Sequence, residues 1–407
     1  MRLDGVWWLE DRLRQQLRTV PFEVPPGTAE IEVRLDYDSS AGAVLDLGCA
    51  GPEGFRGWSG GARSSFRIGV HASTPGYLAG EVPPGLWHVW LGLHRVPVEG
   101  VRYSLEITFS DKARKVSQDL GYREPDPLER PPKRDLPRVD GRRWFAGDLH
   151  AHTQHSDGAL SIRGLATLAA RTGLDFLAVT DHNTISHYPF LEKQSAVTGV
   201  TLIPGQEVTT ELGHANVWGS AEWIDFRRPA SQWMKQAEKA GGLFSVNHPL
   251  AGDCAWRHHL TTQPSIAELW HWSWLDRTWG EPLAWARRHP AGVIPVGGSD
   301  FHAPGGTPAS LGEPVTWVLA DECTVPALLD GIRAGRTAVS AARTGPLLLR
   351  CGDELLALDA EGLVLVRPDE TRVAVRPDPA GRQLFPASQK GMYRLETWRN
   401  EVVALCA

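Results

Sequence analysis

"WFAGDLHAHTQHSDG", residues 144–158, is the stretch on which the fold turns. Its part from Asp148 to Gly158 holds three histidines and two aspartates in eleven residues. In an extended strand, residues i and i+2 point the same way. His150 and His152 can therefore present both imidazoles to one point, and Asp157 follows in a turn. A lone histidine, or one such pair, is more often a hydrogen-bonded structural feature than a metal ligand. Its meaning depends on what the rest of the chain supplies.

The rest of the chain repeats the pattern. "FLAVT" ends in Asp181 and His182, and "VTLIPG" leads to Glu207, with His214 seven residues on. "LFSVN" ends in His248, and "VIPVGGS" ends in Asp300 and His302. Helical stretches lie between these apolar runs. "IRGLATLAARTG" spaces Ile162, Leu165, Ala166 and Ala169 on one helical face and stops at Gly173. "PASQWMKQAEKAGG", "GEPLAWARRHPAG" and "TVPALLDGIRAG" read as further helices. Alternating strands and helices imply a parallel sheet or barrel, whose chemistry gathers at the C-terminal ends of the strands. Buried imidazoles and carboxylates need partners, so packing alone does not explain five strand ends that each carry them.

The flanks read differently. Residues 1–125 show short alternating strands such as "AEIEVRLDYD", "SFRIGVHA", "LWHVWLGL" and "VRYSLEITFS", separated by Gly/Pro turns. This predicts an antiparallel β-sandwich. Residues 126–141 belong to a proline-dense, charged stretch that suits a linker or a surface strap. Residues 142–344 carry the strand–helix repeat, and 345–407 return to short strands as a small β appendage.

Composition narrows the partners. The 407 residues carry 42 Lys+Arg and 48 Asp+Glu, a net charge of −6, with no basic run. There is no strong nucleic-acid signal. No apolar run reaches the ~18 residues of a membrane span, and the N-terminus lacks a secretory apolar core. Five scattered cysteines without a CxxC favour reduced thiols and a cytoplasmic location. Seven of the seventeen tryptophans fall between Trp233 and Trp285. They are either core bulk or an apolar wall over a cleft.

No cysteine joins the ligand candidates, and nitrogen with carboxylate oxygen suits Zn, Mn or Fe. One ion takes only about four to six ligands, so the set fits two to three divalent ions sharing a carboxylate.

In order, "DLHAHTQHSDG", "AVTDHN", "GQE", "NHP" and "GGSDFH" resemble the motifs of the PHP (polymerase and histidinol phosphatase) family of metallohydrolases. "GHAN" at 213–216 and the N-terminal β region are similar to the branch containing the carbaryl hydrolase CehA. The resemblance implies a distorted (β/α)7 barrel within an α/β fold. It also implies the ligand roles. His150, His152, Glu207 and Asp300 hold one ion, and Glu207 bridges to a second held with His214 and His248. Asp157, His182 and His302 hold a third. Glu207 and Asp181 are the catalytic candidates, Asp181 by orienting a ligand. Asp148 could orient His150 or His152, and for either aspartate a strand-end cap is the plainer role.

The expected reaction is hydrolysis by a metal-bridging hydroxide, on a small, phosphorylated substrate. The alternative is a carbamate, ester or amide, attacked by the same hydroxide and suited to the tryptophan-rich segment. A metal-stabilised binding module is the third reading. Residues 145–305 carry 11 basic and 15 acidic side chains, so an anion needs the metals before it is attracted. Arg257 and His258 in "CAWRHHL", and Arg163 after "LSI", are the candidate substrate contacts. For each, a solvated surface side chain is the plainer reading.

Overall fold

The structure, a computed structural model, describes residues 1–114, 128–289, 292–305 and 310–406. The end of the expected sandwich and the first residues of the expected linker lie outside the described residues. The chain forms two units. One comprises Met1–Arg123, Gln154–Asp157 and Asp181–Pro189, and the other Glu124–Thr153, Gly158–Thr180 and Phe190–Ala407.

The first unit contains β1 (Arg2–Trp7), α1 (Leu9–Arg14), β2 (Leu17–Val24), β3 (Glu30–Tyr37) and β4 (Val44–Gly51). It continues with β5 (Gly54–Gly60), β6 (Ser65–Gly69), β7 (Gly85–Arg95) and β8 (Val101–Ser110). Two four-stranded antiparallel sheets result, ordered β1-β8-β3-β6 and β2-β7-β4-β5. The period-two pattern decides which face is buried. Ile31, Val33 and Leu35 of β3 meet Trp87, Val89 and Leu91 of β7 in one apolar core. Fully burying each such side chain contributes roughly 1.5–3 kcal/mol. Phe109, near the end of β8, is exposed.

Asp46 on β4 is half-buried, with Gly60, Gly61 and Gly92 close around its carboxyl. Burial pushes that carboxyl up to about 7. A raised carboxyl stabilises the fold below its unfolded value of about 4, and the benefit is lost as pH rises through about 7. Asp46→Asn should therefore raise the melting temperature at pH 8 and leave it unchanged at pH 4. Thermal melts at the two pH values check this, and equal shifts would mean the carboxylate is well solvated.

The second unit begins with β9 (Arg143–Asp148), α2 (Ile162–Thr172), β10 (Phe176–Val179), α3 (Tyr188–Thr198, whose first two residues belong to the first unit) and β11 (Thr201–Thr210). There follow β12 (Gly213–Trp218), α4 (Ala230–Lys239), β13 (Leu243–Val246), β14 (Ile266–Trp270), α5 (Gly280–Arg287) and β15 (Ile294–Gly297). Next come β16 (Val315–Ala320), α6 (Val325–Arg333) and β17 (Thr337–Ser340). α2 shows the local logic. Ser161 Oγ caps it by accepting from Gly164 N, and Gly173 ends it at φ +82°, where a side chain would be strained. Its apolar face is buried, and every residue of the following β10 is buried too.

The sheet is mixed rather than uniformly parallel. β9, β10 and β11 are parallel, as are β13, β14 and β15. β12 runs antiparallel between the two sets, because a turn at Glu211–Leu212 is too short for a crossover. β16 pairs antiparallel with β9, and β17 with β16. β15 is tied to this far side through threonines: Thr316 Oγ1 donates to Gly297 O (2.8 Å), and Thr337 Oγ1 donates to Pro295 O (3.0 Å).

The C-terminal strands are not a separate appendage. After β18 (Leu347–Cys351), β19 (Glu354–Leu358), β20 (Val364–Val366), β21 (Arg372–Ala374), β22 (Arg382–Pro386) and β23 (Tyr393–Glu396), β24 (Val402–Cys406) pairs with β17. β23, β20 and β21 extend the same sheet, and β18, β19 and β22 form a three-stranded sheet of their own. β17 would otherwise expose a row of unpaired backbone groups, which β24 satisfies.

The described part of the proline-rich stretch is a strap. Arg130 donates to the carbonyls of Leu174 (2.6 Å) and Gly199 (2.8 Å), and Lys133 pairs with Asp175 (2.7 Å). Arg134 donates to Gly345 O (2.8 Å). All five cysteines are free, and no described helix is long and apolar enough to cross a membrane.

Candidate metal centre

The second unit gathers its titratable side chains around Glu207, which is fully buried at the middle of β11. His214 enters from β12 because the hairpin register sets Thr209 opposite it, and its Nδ1 is 3.1 Å from Glu207 Oε1. His248 follows β13 and places Nε2 3.3 Å from the same oxygen. Asn247 Nδ2 donates to it as well (2.9 Å). The other oxygen, Oε2, lies 3.3 Å from His150 Nε2 and 3.4 Å from His152 Nε2.

Asp300 completes the group. Its Oδ1 is 3.0 Å from His152 Nε2 and 3.2 Å from His150 Nε2. His302 stacks on His152 with ring centroids 4.3 Å apart. Asp300 and His248 both have left-handed backbones, at φ +51° and +26°. Such strain persists where the surroundings over-determine a conformation, as at binding sites.

Two residues of this group went unread in the sequence. Glu268, on β14, faces His150 Nδ1 across 3.0 Å and accepts from His248 N (3.0 Å). His271, just past β14, sets Nε2 3.4 Å from Asp300 Oδ2. The available signal was "AELWHW", one more apolar run ending in a histidine.

The cluster demands positive charge. Burial works against charge on His150, but Glu207, Glu268 and Asp300 outweigh it and hold the imidazole well above its ordinary value. The same holds for His248, where burial is outweighed by Cys254, Glu207 and Glu268. Asp300 is held well below the carboxylate range, because His150, His152 and His271 outweigh its burial.

A divalent ion fits this group. A carboxylate only accepts, so His150 Nδ1 donates to Glu268. His150 Nε2 then faces Glu207 Oε2 and Asp300 Oδ1 without the geometry of a hydrogen bond to either. A buried imidazole nitrogen flanked by two carboxylate oxygens is the donor set of a cation site. His150, His152, Glu207 and Asp300 offer ligand atoms all within 4.8 Å of one another.

The other expected residues lie as follows. Asp157 and His182 belong to the first unit and face each other at 3.7 Å. Asp181, also there, accepts from Ser156 Oγ (2.7 Å) and stands 3.2 Å from His187 Nδ1. Asp148 caps its strand end, accepting from the backbone of His150 (3.1 Å), Ser299 (3.0 Å) and Gly312 (2.9 Å). Arg257 is exposed and donates to Glu211 O. His258 packs between Trp233 and Trp256 with Nε2 2.8 Å from Thr210 Oγ1, and burial pushes its imidazole down. Arg163 is half-buried in the first turn of α2. Trp270, Trp274 and Trp279 lie in an apolar cluster with Leu269 and Leu405.

Gly298 explains the double glycine of "GGSD". A Cβ there would lie 2.4 Å from both Glu268 Oε1 and His150 Cβ. Gly298→Ala should push both side chains apart and weaken metal binding at least tenfold. Metal titration of the purified variant checks this.

Residues 148–261 match the PHP domain. That interval contains His150, His152, Asp157, His182, Glu207, His214 and His248, and ends before Glu268, His271, Asp300 and His302. Similarity to individual curated proteins is local. The chain is 34% identical over 85 residues to the 5'-3' exoribonuclease Rnm of Salmonella typhimurium, covering 20% of this chain and 29% of that one. It is 32% identical over 93 residues to a 5'-3' exoribonuclease of Haemophilus influenzae, covering 23% and 34%. The chain thus spans about a third of the length of these curated relatives. A solved two-domain protein of Bacteroides vulgatus, described as containing a predicted PHP-like metal-dependent phosphoesterase, aligns with 68% of this chain and 91% of its own. The TM-score is 0.43 and the identity 17%.

Proposed function

We propose that this chain is a metal-dependent phosphoester hydrolase, working in a distorted PHP barrel on a small phosphorylated substrate. The observation that carries the reading is the buried convergence on Glu207, with His150 Nε2 between two carboxylate oxygens it does not hydrogen-bond. His150, His152, Glu207 and Asp300 would hold one ion, and Glu207, His214 and His248 a second. For a third, the proposal rests on the sequence resemblance, which assigns Asp157, His182 and His302. Divalent ions bound there supply a Lewis acid and lower the pKa of water.

The chain's own residues do the rest. Glu207 offers both carboxylate oxygens, and Asn247 Nδ2 holds one of them in place. His271 stands against the outer oxygen of Asp300. A loaded centre is cationic, which favours an anionic phosphoester over a neutral carbamate. The exoribonuclease names of two relatives describe phosphodiester cleavage, the same reaction class. Of the tryptophans that made a carbamate attractive, Trp270, Trp274 and Trp279 pack into an apolar core, and Trp272 lies beside His271 with ring centroids 5.4 Å apart.

The test is metal content by ICP-MS, with the same preparation assayed on p-nitrophenyl phosphate, bis-p-nitrophenyl phosphate, an RNA oligonucleotide and an aryl carbamate. Bound Mn, Fe or Zn with phosphoester turnover is the expected result. Metal with carbamate turnover alone would overturn the substrate class. A folded protein that takes up no metal would overturn the whole reading.

A further inference from the structure

Glu268 is not among the nine residues that the PHP resemblance supplies, and it lies beyond the matched interval. It sits on β14, where every residue is buried, and it is 2% exposed itself. A carboxylate in such a strand is costly unless both oxygens are engaged. Here both are. Oε1 takes His150 Nδ1, 118 residues away in sequence, and Oε2 takes the backbone N–H of His248. His248 is also one of the two strained residues of the centre. The space for this arrangement exists because Gly298 has no side chain.

We propose that Glu268 is a positioning residue of the metal centre. It keeps the His150 proton on Nδ1, so that Nε2 presents its lone pair inward, and it pins the strained backbone that carries His248. One carboxylate thereby sets two ligand imidazoles from a strand outside the nine ligand positions that the resemblance supplies. This rests on the metal-hydrolase reading above. A merely structural Glu268 behaves differently: losing one partner of a buried pair lowers stability, while the folded protein binds metal as tightly as before.

The experiment uses E268Q and E268A, with H150A alongside. Zinc and manganese affinities are read by competition with a chromogenic chelator, together with melting of the metal-free proteins. Turnover of bis-p-nitrophenyl phosphate is followed as metal is raised. E268Q keeps the side chain's shape, and where E268A folds poorly it carries the test. Its amide cannot accept from both His150 Nδ1–H and His248 N–H.

Partners that orient a metal-bound imidazole are worth on the order of 10–100-fold in affinity. Both Glu268 variants should therefore bind metal at least tenfold more weakly. Their metal-free melting should fall, because the His248 N–H or the His150 imidazole is left without its buried acceptor, and turnover should recover at excess metal, which a misfolded site would not allow. If either variant binds within twofold of the parent while H150A loses metal, Glu268 does not position the centre. If H150A also keeps its metal, the ligand reading itself is wrong.

Discussion

Alanine at His150 or Glu207 should empty the centre and stop phosphoester turnover in the same step. Glu207 is touched by three imidazoles at 3.3–3.4 Å and by His214 at 3.1 Å, so its loss removes the shared anion of the whole cluster. His150, like His152, faces both Glu207 and Asp300, and it is also the imidazole held by Glu268. Losing one electrostatic stabiliser costs about 100–1,000-fold in rate, and losing the ion should cost at least that. Metal content and kcat/KM measured on the same preparation decide it. A variant that lost metal and kept full activity would remove the hydrolytic role of the cluster.

Stripping the metal with a chelator should be the second large effect, on stability as well as rate. A ligand at a thousand times its Kd stabilises the folded state by about 4 kcal/mol. For a chain of this size that is on the order of 5 °C in melting temperature. The pH dependence follows from charge. Without metal, His150 and His248 are held well above their ordinary value by the surrounding carboxylates. A raised imidazole contributes stability that is present at low pH and lost as pH rises through the raised value. Metal replaces those protons and needs the imidazoles neutral. The gap in melting temperature between loaded and metal-free protein should therefore widen from pH 6 to pH 9. Calorimetry of both forms across that range checks the sign. A gap that narrows would mean protons and metal do not compete at these imidazoles.

Much of this was legible in the linear chain. His150 and His152 share a direction by strand geometry alone, and Glu207, His248 and Asp300 each follow an apolar run at its end. Local periodicity also located α2, β10 and the alternating strands of the first unit. These features depend on neighbours within a few residues, and the sequence displays those neighbours directly.

What the sequence by itself determined is the inventory: two flanking β regions, a strand–helix repeat, and an ordered set of imidazoles and carboxylates at strand ends. What only the tertiary structure decided is who faces whom. Glu268 looked like one polar residue in an apolar run, and its role rests on a histidine 118 residues away. The short turn at Glu211–Leu212 reversed β12 and brought His214 back onto Glu207. The edge of β17 drew in β24 from the end of the chain. Asp157 and His182 went with the first unit rather than with the strands they follow. Each of these is a pairing through space, where partners are chosen by unsatisfied hydrogen bonds and charge in a buried setting, and sequence spacing carries no record of that choice.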